Sequence, residues 1–284
     1  MRFGEGPESE HFEDRTGGGG GLHLGGGLGM ILPLIASRFG IGGILILLLG
    51  YCVLTQFGGG GGILGGGDSG GGTRQSTLPA EQGRFLRQVL GSTEQVWSQL
   101  FTQAGGQYKP TTLVAYSNTD QSGCGAAQAA MGPFYCPSDQ RIYIDPVFFE
   151  ELSRRFGAPG DFAQAYVIAH EVGHHIQNLE GTLDRAQASQ ARLGQAEGNQ
   201  VQVGIELQAD CYAGVWAQRS GALEQGDIEE GMRAAEAIGD DTLQKQTQGR
   251  VVPESFTHGS AAQRMEALRR GLSTGNPASC NYAR

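Results

Sequence analysis

The sequence predicts an α+β domain that is mostly helical, contains a small antiparallel or mixed sheet and follows a single transmembrane helix. Three observations support this fold class. Apolar residues recur at helical spacing in several segments after residue 78. Only two short runs, 111–117 and 141–145, have the β-branched and aromatic content of strands. One stretch near the N-terminus, residues 28–57, is apolar enough to span a bilayer.

The N-terminal quarter divides into three parts by composition. Residues 1–27 mix charges with glycine runs and offer little apolar surface to bury, so we expect a disordered tail. Residues 28–57 form the predicted transmembrane segment, which includes 19 consecutive uncharged residues ending at Phe57. A buried core helix is the alternative, but core helices are seldom apolar on every face. Residues 58–77 are a glycine-rich tether, and the folded domain is expected at 78–284.

The distribution of charge bears on partners and orientation. The chain has 29 acidic and 20 basic side chains, a net charge of -9, and no basic block. Nucleic acid is therefore not an expected partner. Arg2, Arg15 and Arg38 precede the uncharged run at 39–57, whereas Asp68 is the first charge after it. This asymmetry favours a cytoplasmic N-terminus and an extracytoplasmic domain.

Helical periodicity and capping patterns define the elements of the domain. The predicted helices cover residues 79–103, 148–156, 162–178, 199–219, 227–238 and 260–271. Capping-box patterns mark three of the starts, namely Asp161 with Gln164, Asp227 with Glu230, and Ser260 with Gln263.

Residues 170–174 are His-Glu-Val-Gly-His and lie within the third predicted helix. His170 and His174 are four residues apart, so they share one helix face and can bind one metal ion. Glu171 lies beside that face, where it can act as the general base on a water molecule. Zn²⁺ suits such a site because it takes imidazole and carboxylate ligands and leaves one position for water. The alternative is an ordinary pair of core or solvated histidines, which the position on a predicted helix disfavours.

Two carboxylates downstream are candidates for the further metal ligand and the hydrogen-bond partner that a two-histidine site needs. Glu206 and Asp210 are also four residues apart on a predicted helix. We expect Glu206 to be the third metal ligand and Asp210 to accept a hydrogen bond from the outer ring nitrogen of a ligand histidine. Considered alone, both would be ordinary solvated carboxylates; the upstream histidines favour ligation.

His258 precedes the last predicted helix and is a candidate catalytic residue. The helix dipole disfavours its charged form, and a neutral imidazole could donate a hydrogen bond to a developing oxyanion. A core or capping histidine is an equally good interpretation. Tyr212 is a weaker candidate for the same role.

Five cysteines occur, and Cys52 lies in the apolar stretch. The other four are Cys124, Cys136, Cys211 and Cys280. Their even number fits two disulfides in an oxidising compartment and four reduced cysteines in the cytosol equally well.

Longer strings around these residues resemble the bacterial neutral zinc metallopeptidases, a membrane-tethered family. The matching strings are GPFYCP at 132–137, YVIAHEVGHHIQ at 166–177, LQADCYAGVW at 207–216 and QGRVVPESFTH at 248–258. The wider resemblance is to gluzincins, whose third zinc ligand is the glutamate of a Glu-x-x-Ala-Asp pattern. That pattern corresponds here to residues 206–210.

The resemblance implies a zincin-like fold, in which an active-site helix packs beside a small sheet whose edge strand pairs with substrate. Arg141–Asp145 is a candidate for one strand of that sheet. It also implies disulfides Cys124–Cys136 and Cys211–Cys280 in a domain outside the bacterial inner membrane. The implied activity is that of a membrane-anchored, single-pass zinc metallopeptidase acting on peptide or protein substrates. A catalytically silent scaffold that binds protein partners is the alternative, and an intact Glu171 argues against it.

Overall fold

The computed structural model describes residues 1–4, 6–17 and 76–283. The helices in these ranges are α1 (Ala80–Gln103), α2 (Val147–Arg154), α3 (Asp161–Leu179), α4 (Thr182–Gln190), α5 (Gln195–Ser220), α6 (Asp227–Ala237), α7 (Asp240–Gln248) and α8 (Ala261–Thr274). The strands are β1 (Phe12–Asp14), β2 (Thr112–Ala115), β3 (Thr119–Ser122), β4 (Gly125–Gln128), β5 (Phe134–Cys136) and β6 (Arg141–Ile144). The expected mostly helical α+β class is confirmed.

Two small sheets accompany the helices. The larger has the order β1-β2-β6-β5 and is mixed, because β2 pairs in parallel with both β1 and β6 whereas β5 is antiparallel to β6. Strands β3 and β4 form a separate antiparallel hairpin. The candidate strand at 141–145 is present as β6, but it is an inner strand. The edges of the larger sheet are β1 and β5.

The described part of the N-terminal tail belongs to the folded domain. Strand β1 pairs with β2 in the register Phe12 to Leu113. Phe3 and Phe12 pack against the core, and the Pro7 carbonyl approaches Gly91 of α1 too closely for any side chain there. The expectation of a disordered tail is therefore wrong for this part. Phe3 and Phe12 bury apolar surface and β1 pairs with β2, but the average composition of residues 1–27 does not show these local features.

Residues 14–17 and 76–78, the two ends of the described chain on either side of residues 18–75, lie side by side. The backbone N–H groups of Thr77 and Leu78 both donate to Oγ1 of Thr16 at 3.1 Å, and the Thr77 hydroxyl donates to the Thr16 carbonyl at 3.2 Å. The Ser76 hydroxyl donates to the Asp14 carboxylate. These contacts hold both ends at one place on the domain.

The predicted transmembrane segment, 28–57, and nearly all of the tether, 58–77, lie outside the described residues. The single-span topology therefore stays a prediction, and the pairing of β1 with β2 fixes only the described residues on either side of that segment. No helix in the described ranges combines the length and hydropathy that a membrane crossing requires.

Small residues bring the central helices α3, α5 and α8 close together. A Cβ on Gly173 of α3 would lie 2.9 Å from the Cα of Ala209 in α5. A Cβ on Gly271 of α8 would overlap the Cys211 carbonyl of α5, and one on Gly214 would meet α8 in the same way. The close approach lets side chains from neighbouring helices meet in one buried cluster.

Helix α8 begins with the predicted capping box at 260–263. Helices α3 and α6 begin after glycines that give no side-chain cap, so the other two capping boxes are wrong. The carboxylates of Asp161 and Asp227 instead accept hydrogen bonds from the Met1 ammonium, at 2.6 and 3.2 Å. Glu230 of α6 accepts a backbone N–H at the start of α3 at 3.2 Å, so a neighbouring helix caps α3.

Both disulfides that the resemblance implied are present. Cys124–Cys136 joins the turn of the β3–β4 hairpin to the edge strand β5. Cys211–Cys280 joins α5 to the C-terminal segment. The alternative of four reduced cysteines is therefore wrong for this structure.

Candidate metal centre

Helices α3 and α5 place three potential metal ligands around one point. Nε2 of His170 lies 3.2 Å, and Nε2 of His174 3.6 Å, from Oε2 of Glu206. One ligand atom from each residue lies within 4.8 Å of the other two. Ligand atoms in a tetrahedral zinc site with bonds of ~2.0–2.1 Å are roughly 3.3 Å apart. The donor set and its spacing therefore fit Zn²⁺.

Glu206 is oriented for this role. Gln202, one turn earlier in α5, donates to Oε1 of Glu206 at 3.0 Å, which leaves Oε2 toward the two imidazoles. Burial alone would raise the pKa of Glu206, but the positive charges of His174 and His258 and hydrogen bonds from the ligand histidines hold it well below its usual range. The carboxylate is therefore ionised at neutral pH, as a metal ligand must be.

Asp210 orients His170, as expected from the sequence. Its Oδ1 lies 2.7 Å from Nδ1 of His170, so Nε2 faces Glu206. Burial alone would raise the pKa of Asp210, but Arg264 and His170 lower it to about 2. Burial likewise would lower the pKa of His170, but Asp210 and Glu206 raise it to about 10. The carboxylates thus attract positive charge to Nε2, where a divalent cation can replace a proton.

Arg264 of α8 is a site residue that the sequence analysis missed. It is 3% exposed, and its Nε and Nη2 donate to the two Asp210 oxygens at 2.9 and 2.8 Å. Tyr166 donates to the same carboxylate at 2.6 Å. Helical spacing could have indicated that Arg264 is buried, because position 264 falls on the buried face of α8 with Ala261 and Leu268. An arginine at such a position needs a buried partner.

Glu171 lies beside the ligand histidines and is 7% exposed. Burial raises the pKa of its carboxyl group, and Glu206 raises it further. His170 and His174 lower the pKa without reversing the net upward shift. A carboxylate with a raised pKa is a better proton acceptor than an ordinary surface glutamate.

His258 is held close to the ligand set by Asp240. Its Nδ1 lies 3.4 Å from Oδ1 of Asp240 and 3.0 Å from the Thr257 hydroxyl. The other Asp240 oxygen accepts the backbone N–H groups of Thr257, His258 and Gly259 at 2.7, 2.7 and 3.1 Å. Burial alone would lower the pKa of His258, but Glu206 and Asp240 raise it. The two carboxylates therefore act on this imidazole in the direction opposite to the expected effect of the helix dipole.

Two neighbouring side chains stabilise the fold instead of entering the site. His175 is fully buried and bridges the Lys109 carbonyl at 2.7 Å and the Tyr135 hydroxyl at 3.1 Å. Tyr212 donates its hydroxyl to Glu180 at 2.9 Å. The suggestion that Tyr212 acts on an oxyanion is therefore wrong in this structure.

A helix with two histidines and a glutamate, packed against a second helix with a glutamate and an aspartate, forms a candidate metal site of the HExxH class. The family model described as "Putative neutral zinc metallopeptidase" matches residues 1–283. The chain belongs to this family.

Bacterial relatives match from two thirds to nearly all of the chain. The Escherichia coli K12 protein YpfJ, described as uncharacterized, is 46% identical over 289 residues, which cover 99% of this chain and 98% of YpfJ. The uncharacterized Mycobacterium tuberculosis H37Rv protein Rv2575 is 44% identical over 204 residues, or 67% of each chain. No solved structure matches the chain.

Proposed function

We propose that this protein is a zinc metallopeptidase that hydrolyses peptide bonds in peptide or protein substrates. The main support is the convergence of His170, His174 and Glu206 at the spacing that Zn²⁺ requires, with Glu171 buried beside them. Membership of the neutral zinc metallopeptidase family supports the same metal and reaction class.

The chain's own residues account for the remaining chemistry. Zn²⁺, when held by the three ligands, supplies a Lewis acid that polarises the peptide carbonyl and makes water more acidic. Glu171 accepts a proton from the attacking water and returns it to the leaving amine. His258 donates a hydrogen bond to the oxyanion that forms on the substrate, and Asp240 holds its ring in place. Asp210 fixes the orientation of His170.

Strand β5 is the proposed binding edge for the substrate backbone. Within the described ranges β5 pairs with β6 alone. Its Tyr135 hydroxyl lies 3.1 Å from His175 and accepts a hydrogen bond from Asn178 at 2.9 Å, so the strand lies against α3. An extended peptide can add to such an edge through main-chain hydrogen bonds. In the proposed zincin-like arrangement β5 therefore takes the role expected of an edge strand, next to β6.

Glu171→Gln tests the mechanism. The variant keeps the size of the side chain and all three ligands, so we expect one zinc per chain and a loss of casein hydrolysis of roughly 10²- to 10⁴-fold. Glu197→Gln, at an exposed position of α5, is the matched control and should cleave like wild type. Casein cleavage by Glu171→Gln at the wild-type rate would refute the mechanism. Stoichiometric zinc without turnover by wild type would favour the scaffold function.

His258→Ala separates metal binding from catalysis. His258 is not among the three converging ligands, so zinc affinity should change little. Loss of one oxyanion donor should lower kcat by roughly 10²- to 10³-fold. A variant with unchanged kcat would remove His258 from the mechanism.

We also propose that the enzyme works on the extracytoplasmic side of the bacterial inner membrane and is attached through residues 28–57. The hydropathy of that segment and the two disulfides support this location. In this proposal residues 1–17 lie on the same side of the membrane as residues 76–283, and the pairing of β1 with β2 supports that arrangement. In spheroplasts, a membrane-impermeant maleimide should therefore label Glu10→Cys and Glu197→Cys alike. Labelling of only one of them would contradict this topology.

A further inference from the structure

The outer ring nitrogen of His174 has a different kind of partner from that of His170. Its Nδ1 lies 2.9 Å from Oε1 of Gln177, which follows one turn later in α3 and is fully buried. Nε2 of Gln177 donates to the Ile205 carbonyl at 2.7 Å and to Oε1 of Gln208 at 3.0 Å. Nε2 of Gln208 donates to the Cys280 carbonyl at 3.0 Å. A row of buried amides thus connects the ligand histidine to the C-terminal segment.

Two backbone carbonyls determine the direction of every hydrogen bond in this row. A carbonyl oxygen only accepts, so the NH₂ group of Gln208 faces Cys280 and its oxygen faces Gln177. The Ile205 carbonyl in the same way requires the NH₂ group of Gln177, so the Gln177 oxygen faces His174. An amide oxygen also only accepts. Nδ1 of His174 therefore bears the proton, and Nε2 has the free lone pair.

We propose that Gln177 and Gln208 are positioning residues that hold His174 in the tautomer that binds zinc through Nε2. The inference rests on the proposed zinc site, and neither glutamine contacts the reacting atoms. The neutral amide of Gln177 is a suitable partner for His174. The negative charge of Asp210, which orients His170, needs the buried Arg264 beside it, whereas Gln177 adds no second buried charge.

The far end of the row is anchored covalently. Cys280 is bonded to Cys211, which directly follows Asp210 in α5. A Cβ on Gly204 of the same helix would lie 2.7 Å from the Tyr282 carbonyl, so the C-terminal segment lies directly against α5. The acceptor for Gln208 is therefore fixed relative to the helix that bears Glu206.

Zinc affinity of the full chain, measured by competition with a chromophoric chelator, tests the proposal without any need for turnover. Gln177→Leu removes the acceptor at nearly constant volume, and zinc binding should weaken roughly 10- to 100-fold. Gln208→Met should weaken it in the same direction by less. Gln187→Leu, at an exposed position of α4, is the matched control and should bind like wild type. Wild-type zinc affinity in a folded Gln177→Leu variant would overturn the proposal.

A spectroscopic measurement on the wild-type protein covers the case in which Gln177→Leu fails to fold. In the zinc-loaded protein, ¹⁵N imidazole shifts of His174 should show a protonated Nδ1 and a zinc-bound Nε2. Coordination through Nδ1, or a proton on Nε2, would overturn the assignment. Because neither readout involves peptide cleavage, failure of the proposed enzymatic activity would remain distinguishable from failure of this inference.

Discussion

Replacing Gly173 with alanine changes the distance at which helices α3 and α5 can pack. The new Cβ would lie 2.9 Å from the Cα, 3.0 Å from the carbonyl oxygen and 3.2 Å from the Cβ of Ala209. Optimal contacts between carbon atoms begin at about 3.5 Å. The obstructing atoms belong mainly to the helix backbone, so no side-chain rotation relieves the clash. The helices must therefore separate by roughly half an ångström.

This separation should affect both stability and zinc binding. Overpacking costs about 1–3 kcal/mol, partly offset by the higher helix propensity of alanine, worth about 1 kcal/mol. Ala209 lies between Glu206 and Asp210, so the displaced backbone also moves the third ligand and the partner of His170. We expect zinc affinity to fall roughly tenfold or more, by analogy with the loss of outer hydrogen-bond partners.

Urea unfolding and zinc competition measure the two effects separately. Gly198→Ala in α5 is the matched control, because a Cβ there would meet nothing within 4 Å. That variant should be more stable than wild type by about 0.5–1 kcal/mol and should bind zinc normally. If Gly173→Ala matched wild type in both stability and zinc affinity, the argument from helix approach would be refuted.

Three further predictions concern the charges and cross-links around the site. Arg264→Met leaves the Asp210 carboxylate buried without its cation, so urea unfolding should show a loss of about 3–5 kcal/mol. The folded-state pKa of Asp210 is lowered from 3.8 to about 2, so its ionised form contributes about 2 kcal/mol to the free energy of unfolding. This contribution is fully present above pH 3.8 and is lost as the pH falls through 2. Asp210→Asn should remove this part of the acid dependence of unfolding. Thermal unfolding should show that replacing the 211–280 disulfide by alanines costs roughly 4 kcal/mol of stability and that replacing the 124–136 disulfide costs roughly 3 kcal/mol. The costs differ because the sequence separations are 69 and 12 residues, respectively. Equal costs would contradict the loop-entropy argument.

The residues of the candidate metal centre could be predicted from the sequence because their spacing within each helix is local. His170 and His174 are four residues apart on one helix, as are Glu206 and Asp210 on another, and helical spacing alone places each pair on one face. Helix boundaries were predicted within a few residues for the same reason. The close packing of the two helices depends on Gly173, and only the structure shows its contact with Ala209.

Features that depend on distant partners could not be predicted. Strand β1 is three residues long and is stabilised by pairing with β2, far away in the sequence, so local composition indicated a disordered tail. Arg264 follows no ligand spacing, and its role depends on Asp210 in another helix. Gln177 lies within the matched string at 166–177, but its role is set by backbone carbonyls that only the folded chain brings near.

The hydrogen bonds between Thr16 and residues 77 and 78 have a practical consequence for protein engineering. Composition suggests truncation at residue 77, but that cut would delete β1 and uncover the edge of β2 and the Gly91 surface of α1. Excision of residues 18–75 instead leaves two neighbouring ends. Two or three glycines suffice to rejoin them, since each residue spans about 3.3–3.6 Å. The excised chain should fold in detergent-free buffer and bind zinc like the full-length protein, whereas the truncated chain should aggregate.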